Sequence, residues 1–188
     1  MAYSNTTGLP SVTQLLRPYL DTRWFTAESR RRGTIVHNAC AAHLKSVWVA
    51  PLPADYQGYF DSFRRWADAC VEKVLLVESR LVDRRLGYCG QLDMVVKFKG
   101  MLSATAVVDI KTGVSVEKSW PVQLAAYRHL AMVDRDVMTN MGGTLRVRMD
   151  GSGALWDDFD SGPHPIERAP SWNVFVGLLN AHNYLKGR

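Results

Sequence analysis

Residues 104–113 read ATAVVDIKTG, an apolar run that ends in charge. Val107, Val108 and Ile110 predict a strand. Side chains alternate along a strand, so Asp109 and Lys111 share one face while Val108 and Ile110 take the other. A buried strand has no packing reason to finish with a carboxylate and an ammonium two residues apart. An acidic metal ligand beside a cation at the mouth of a sheet suits chemistry on a phosphodiester. An exposed ion pair at a strand end is the plain alternative, and D-x-K alone would favour it.

The preceding strand, 89–98, carries Asp93 among Leu92, Met94, Val95 and Val96. A carboxylate in such company needs a partner, a metal or a shifted pKa. A three-residue loop at Gly100, Met101 and Leu102 sets Lys99 against Ser103, and therefore Asp93 against Asp109. Two opposed carboxylates repel unless a cation lies between them. In this register Asp93, Asp109 and the carbonyl of Ile110 offer oxygen ligands suited to Mg²⁺ or Mn²⁺. His37, on a helix, adds a nitrogen that Mn²⁺ accepts more readily, although a histidine on an apolar stripe is more often a core residue.

The remaining elements frame these residues. Ser11 caps a short helix over 10–20, with Val12, Leu15, Leu16 and Leu20 as its apolar stripe, and Trp24 and Phe25 read as anchors after it. A second helix spans 29–48. Arg30, Arg31 and Arg32 open it where the helix dipole disfavours cations, which suits either nearby phosphate or a solvated charge run. A third helix spans 55–74; its stripe of Tyr59, Phe63 and Trp66 reads first as core and second as a stacking surface. Strands follow at 75–84, 89–98 and 104–111, then a helix over 119–133, a strand over 144–149, a loop over 150–170 and a helix over 171–185. Within the first strand Glu78 is a further charge in an apolar run, able to orient a water or to pair with an arginine. Gln123 and Tyr127, four apart, share one helix face beside the strand ends. The element order predicts an α/β (α+β) domain with a small mixed four-stranded sheet flanked by helices.

At 188 residues with 47% hydrophobic content, the chain supports one domain with its own core. Cys40, Cys70 and Cys89 form no C-x-x-C pair, so neither a disulfide framework nor a cysteine metal cluster is expected. No apolar run matches a membrane span, and nothing near residue 1 marks export. A net charge of +5 and a pI near 9.2 suit a polyanionic partner. The acidic stretch at 156–160 lacks the spacing of a calcium loop and reads as solvated loop.

Taken together, RRGTIVH with His37, then Glu78, then Gly90-Gln91-Leu92-Asp93, then Asp109-Ile110-Lys111-Thr112, then Gln123-x-x-x-Tyr127 resemble the RecB-type branch of the PD-(D/E)xK nuclease superfamily. The resemblance covers about 10–133. The opening PSVTQLL is also similar to phage and mitochondrial single-strand exonucleases of that branch. It implies a restriction-endonuclease-like core over about 28–150 within a single nuclease domain, 1–188, and a helical cover over 45–74. It implies that His37, Asp93 and Asp109 hold Mg²⁺ or Mn²⁺ with the Ile110 carbonyl assisting, and that Lys111 serves water and phosphate. Gln123 and Tyr127 would support the site and the DNA strand, with Arg30, Arg31 and Arg32 near the phosphates. The iron–sulfur cysteines of some relatives are absent, as are the proline before Asp93 and any P-loop.

The expected function is thus a metal-dependent DNA exonuclease acting on single strands or ends, in a cytoplasmic setting of bacterial or phage DNA repair or recombination. A structure-specific or restriction-type endonuclease of the same fold is the rival enzyme, and dimerisation would favour it. A non-catalytic DNA-binding recombination accessory module is the rival from another class. It predicts loss of His37, Asp93, Asp109 or Lys111, and all four are kept.

Overall fold

The computed structural model describes residues 7–20, 26–101, 104–159, 161 and 166–187. Trp24, Phe25, Leu102 and Ser103 lie outside the described residues. Helix α1, Val12–Leu16, begins with a capping box: Ser11 Oγ accepts from Gln14 N at 3.2 Å, and Gln14 Oε1 accepts from Ser11 N at 2.8 Å. A 3₁₀ turn, Arg17–Tyr19, extends it. Helix α2, Ala27–Leu44, starts where Thr26 Oγ1 accepts from Ser29 N at 3.0 Å. Next come α3 (Ala54–Cys70), β1 (Val71–Asp83), β2 (Tyr88–Phe98), β3 (Thr105–Lys111), α4 (Ser119–Arg135), β4 (Met141–Arg146), β5 (Leu155–Asp158), a 3₁₀ turn at Ile166–Arg168, and α5 (Pro170–Leu185).

The sheet has five strands in the order β1-β2-β3-β4-β5. Strands β1, β2 and β3 form an antiparallel meander, α4 crosses over to bring β4 parallel to β3, and β5 closes the edge antiparallel to β4. This is a mixed α/β fold, as the element order predicts. Two cores lie on it. Helices α1, α4 and α5 bury Leu15, Leu124, Leu130 and Phe175 with Val95 and Val107. Helices α2 and α3 bury Val36, Cys40, Phe60 and Phe63 with Met94, Val96 and Val108. The stripe on α3 is therefore chiefly core: Phe63 is fully enclosed and Tyr59 nearly so.

The expected four strands are corrected to five. Residues 155–158, assigned to loop, pair with β4 from Gly143↔Asp158 to Arg146↔Leu155. Two of the four residues of β5 are aspartates, and Gly151 and Gly153 come shortly before it, so local propensity hides it. Tertiary contacts hold it instead. Arg146 clasps Asp157 through Nε at 2.6 Å and Nη2 at 2.9 Å. The Trp156 ring covers Gly143, where an added Cβ would sit 2.3 Å from it. Further boundaries move for similar reasons. Residues 71–74 belong to β1 rather than α3, α2 stops at Leu44 rather than 48, and β4 includes Gly142 and Gly143 instead of following them.

The register places the site. Met94↔Val108, Val95↔Val107, Val96↔Ala106 and Lys97↔Thr105 pair β2 with β3, and Asp93 and Asp109 lie just beyond the Met94↔Val108 pair. On the other side Val77↔Met94 and Ser79↔Leu92 set Glu78 opposite Asp93. Among the described residues no helix is long and apolar enough to cross a membrane.

Candidate active site

Glu78, Asp93 and Asp109 form one row across three adjacent strands. At Glu78 the backbone has φ 46°, a left-handed conformation that costs a non-glycine residue about 1–2 kcal/mol. Such strain persists only where its surroundings enforce it, and here it lies in a row of charge. The Glu78 carboxylate accepts from the Gln91 amide, a side chain two residues before Asp93.

His37 reaches the row from α2, with Nδ1 3.2 Å from Asp93 Oδ1. The other Asp93 oxygen accepts from the Ile110 backbone N–H at 2.7 Å, so at Ile110 it is this N–H that engages the site. Donor atoms of His37, Glu78 and Asp93 lie within 4.8 Å of one another. Asp109 turns along its own strand face, and its Oδ2 sits 2.6 Å from Lys111 Nζ. The ammonium is the ion-pair partner of that buried oxygen. Lys111 Nζ also donates to Gln123 Oε1 at 3.1 Å, and Gln123 Nε2 donates to the Tyr127 hydroxyl at 3.2 Å. The ammonium lies 5.4 Å from the centroid of the Trp120 ring.

Each titration shift follows from this geometry. Burial opposes a charged imidazole at His37, but Asp93 outweighs it and lifts the group from 6.5 to about 9. Burial likewise pushes against an ionised Asp93, yet His37 and the Ile110 N–H hold its carboxyl below the usual range. Asp109 moves the other way: burial raises it and the Asp93 charge adds to that, against the pull of Lys111. Glu78 is raised by burial and then by Asp93. Negative charge in the row is under-compensated.

A divalent cation fits that condition. The donor set of one imidazole and two clustered carboxylates, His37, Glu78 and Asp93, suits a divalent cation, while Asp109 Oδ2 faces the Lys111 ammonium. The site opens into a cavity of about 640 Å³ lined by His37, Glu78, Asp93, Lys111, Gln123 and Tyr127 among others.

The structure thus brings together His37, Glu78, Asp93, Asp109, Ile110, Lys111, Gln123 and Tyr127. The three arginines separate. Arg30 and Arg31 are exposed at the start of α2, whereas Arg32 is half-buried, donating through Nε to Thr112 Oγ1 at 3.3 Å and lying 5.4 Å over the Tyr59 ring. Sequence reasoning gave no role to Gln91, named only within Gly90-Gln91-Leu92-Asp93, and did not single out Trp120. Gln91 was open to it, since i and i+2 share a strand face with Asp93. At Gly90, which the motif Gly90-Gln91-Leu92-Asp93 includes, an added Cβ would stand 2.8 Å from the Tyr127 ring, so the bare backbone there makes room for Tyr127.

No protein-family model and no curated protein matches the chain. Among solved structures, SSO0001 aligns over 100% of this chain and 79% of its own length, at 14% identity and a TM-score of 0.49. An alkaline exonuclease, LHK-Exo from Laribacter hongkongensis, aligns over 95% of this chain and 92% of its own, at 14% identity and a TM-score of 0.41. Both likenesses are distant, and no residue role follows from either.

Proposed function

We propose that this chain is a Mg²⁺- or Mn²⁺-dependent deoxyribonuclease of the PD-(D/E)xK type, an exonuclease acting on single-stranded DNA or DNA ends. The observation that carries the reading is the donor cluster of His37, Glu78 and Asp93, with the Asp109–Lys111 ion pair beside it. His37, Asp93 and Asp109 hold the cation, and Glu78 belongs to the same donor cluster. When bound, the cation neutralises phosphate charge and acidifies water.

The chain's own residues do the rest. Lys111, steadied by Asp109 and by the Gln123 carbonyl, points a fixed ammonium at the phosphate and stabilises the charge that grows on its oxygens as water attacks phosphorus. The P–O bond to the leaving nucleoside breaks, and the leaving oxygen takes a proton from solvent. Tyr127 receives the Gln123 amide N–H, which fixes the Gln123 carbonyl toward Lys111. Arg30 and Arg31 meet backbone phosphates at the α2 end of the groove. Residues 1–188 act as one nuclease unit.

The test is direct. Purified protein with Mn²⁺ degrades end-labelled linear single-stranded DNA, EDTA stops it, and Lys111→Ala lowers kcat by about 100-fold or more. Intact DNA with the wild type, or equal rates for Lys111→Ala, ends the reading. Cleavage of circular single strands at the linear rate would assign an endonuclease instead.

A further inference from the structure

Beyond the donor row, α2 ends in an ordered turn that exposes an aromatic side chain. Ser46 N donates to His43 O at 3.0 Å and Val47 N to Ala42 O at 2.9 Å, with Ser46 at φ 54°. This is the paired hydrogen-bond closure usually built on glycine. It projects Val47, 57% exposed, and Trp48, 80% exposed, from the end of the helix that carries His37. Beside Trp48 lies a second cavity of about 310 Å³, lined by Pro51, Leu52, Phe60, His43 and Arg64 among others. Arg64 is half exposed and engages Asp61 at 3.3 Å, a surface pair of little strength. Lys45, one turn before Trp48, is exposed. One cation, Lys45, precedes Trp48 at the helix end, and a second, Arg64, lines the cavity beside it. From His37 to Leu44 the helix advances about 10 Å, a span of a few nucleotides.

We infer that Trp48 is a stacking platform for a base of the bound single strand, with Lys45 and Arg64 taking the adjacent phosphates. The inference rests on the nuclease reading of the donor row and adds a second contact point to it. An exposed indole flanked by cations suits a single strand, whose bases present their faces, whereas a duplex hides them. The residues between His37 and β1 thereby act as the element that holds the strand in register with the cation site.

Binding is measured by fluorescence anisotropy of a labelled dT 12-mer in EDTA, where nothing is cleaved. Trp48→Ala weakens affinity about 5-fold or more, Trp48→Phe keeps most of it, and a 12-mer of abasic sites does not distinguish the variants. Lys45→Ala lowers the salt slope of binding by about 0.7. Equal affinity of wild type and Trp48→Ala for dT overturns the inference, as does an equal loss on the abasic strand. A wild type that digests single strands with Mn²⁺ while Trp48→Ala binds dT normally sinks the platform alone. A wild type that neither binds nor digests sinks the nuclease reading with it.

Discussion

Two buried charged clusters among the described residues differ in access, and of these the donor row faces the cavity. The other surrounds His129 on α4. Its Nδ1 lies 3.0 Å from the Tyr88 hydroxyl and 3.7 Å from Asp83 Oδ2, its ring is 4.2 Å from that of Trp172, and Glu167 and Arg85 act on it from further off. Burial lowers His129 below its ordinary value, against the pull of Asp83. The unfolded chain takes up a proton at His129 near 6.5 and the folded chain resists it, so protonation favours unfolding. The contribution is whole above about 6.5 and drains as pH falls from there to the lowered folded value. The unfolding free energy of the wild type should fall from pH 7.5 to 5.5 relative to His129→Gln, by at most about 1.4 kcal/mol per pH unit; parallel stability–pH curves would refute it. This cluster was not legible in the sequence. His129 stands in AAYRHLAM beside Arg128 and with no carboxylate near it in sequence, and its partners come from β1, β2 and α5. Asp93 and Asp109 were legible because strand alternation and hairpin length are local rules. Glu78 was legible only as an anomaly, since its backbone strain and its alignment with Asp93 depend on two register shifts in β1.

Among the elements, α3 shows how packing overrides propensity. Gly58 sits mid-helix, where helix propensity alone would have Gly58→Ala gain about 1 kcal/mol. A Cβ there would lie 1.7 Å from the Met149 carbonyl oxygen, because the turn after β4 presses its backbone onto the helix. Backbone cannot yield as a side-chain tip can, so the sign reverses. Gly58→Ala is expected to lose about 1–3 kcal/mol, read from the midpoint of urea unfolding. An unchanged or higher midpoint would mean that the helix and the turn do not touch. The same turn leads into β5, the strand that pattern reading missed. Both failures have one cause: what fixes residues 149–158 is contact with α3 and β4, and hydrophobic period carries no trace of it. Strands β2 and β3, by contrast, announce themselves by continuous apolar runs buried on both faces.

At the scale of the molecule, two cores on opposite faces of one sheet meet at the donor row. Strands β1 to β3 supply the carboxylates from a continuous stretch of chain, α4 supplies Gln123 and Tyr127 from one layer, and α2 supplies His37 from the other. Cation binding should therefore report on assembly of the whole. At 100 times its dissociation constant, Mn²⁺ should add about 2.7 kcal/mol, a rise in Tm of about 5–10 °C, and His37→Ala should remove most of it. No shift in the wild type would count against a cation at this row. The arrival of His37 from a layer outside the meander has a kinetic consequence. A hairpin-built sheet edge forms from near neighbours, but the imidazole reaches it only when α2 docks from some forty residues upstream. A transition state that precedes that docking cannot feel the ion. Mn²⁺ should then leave the refolding limb of a chevron where it is and slow the unfolding limb by the full equilibrium factor, so that the metal prolongs the life of the native state without hastening its formation.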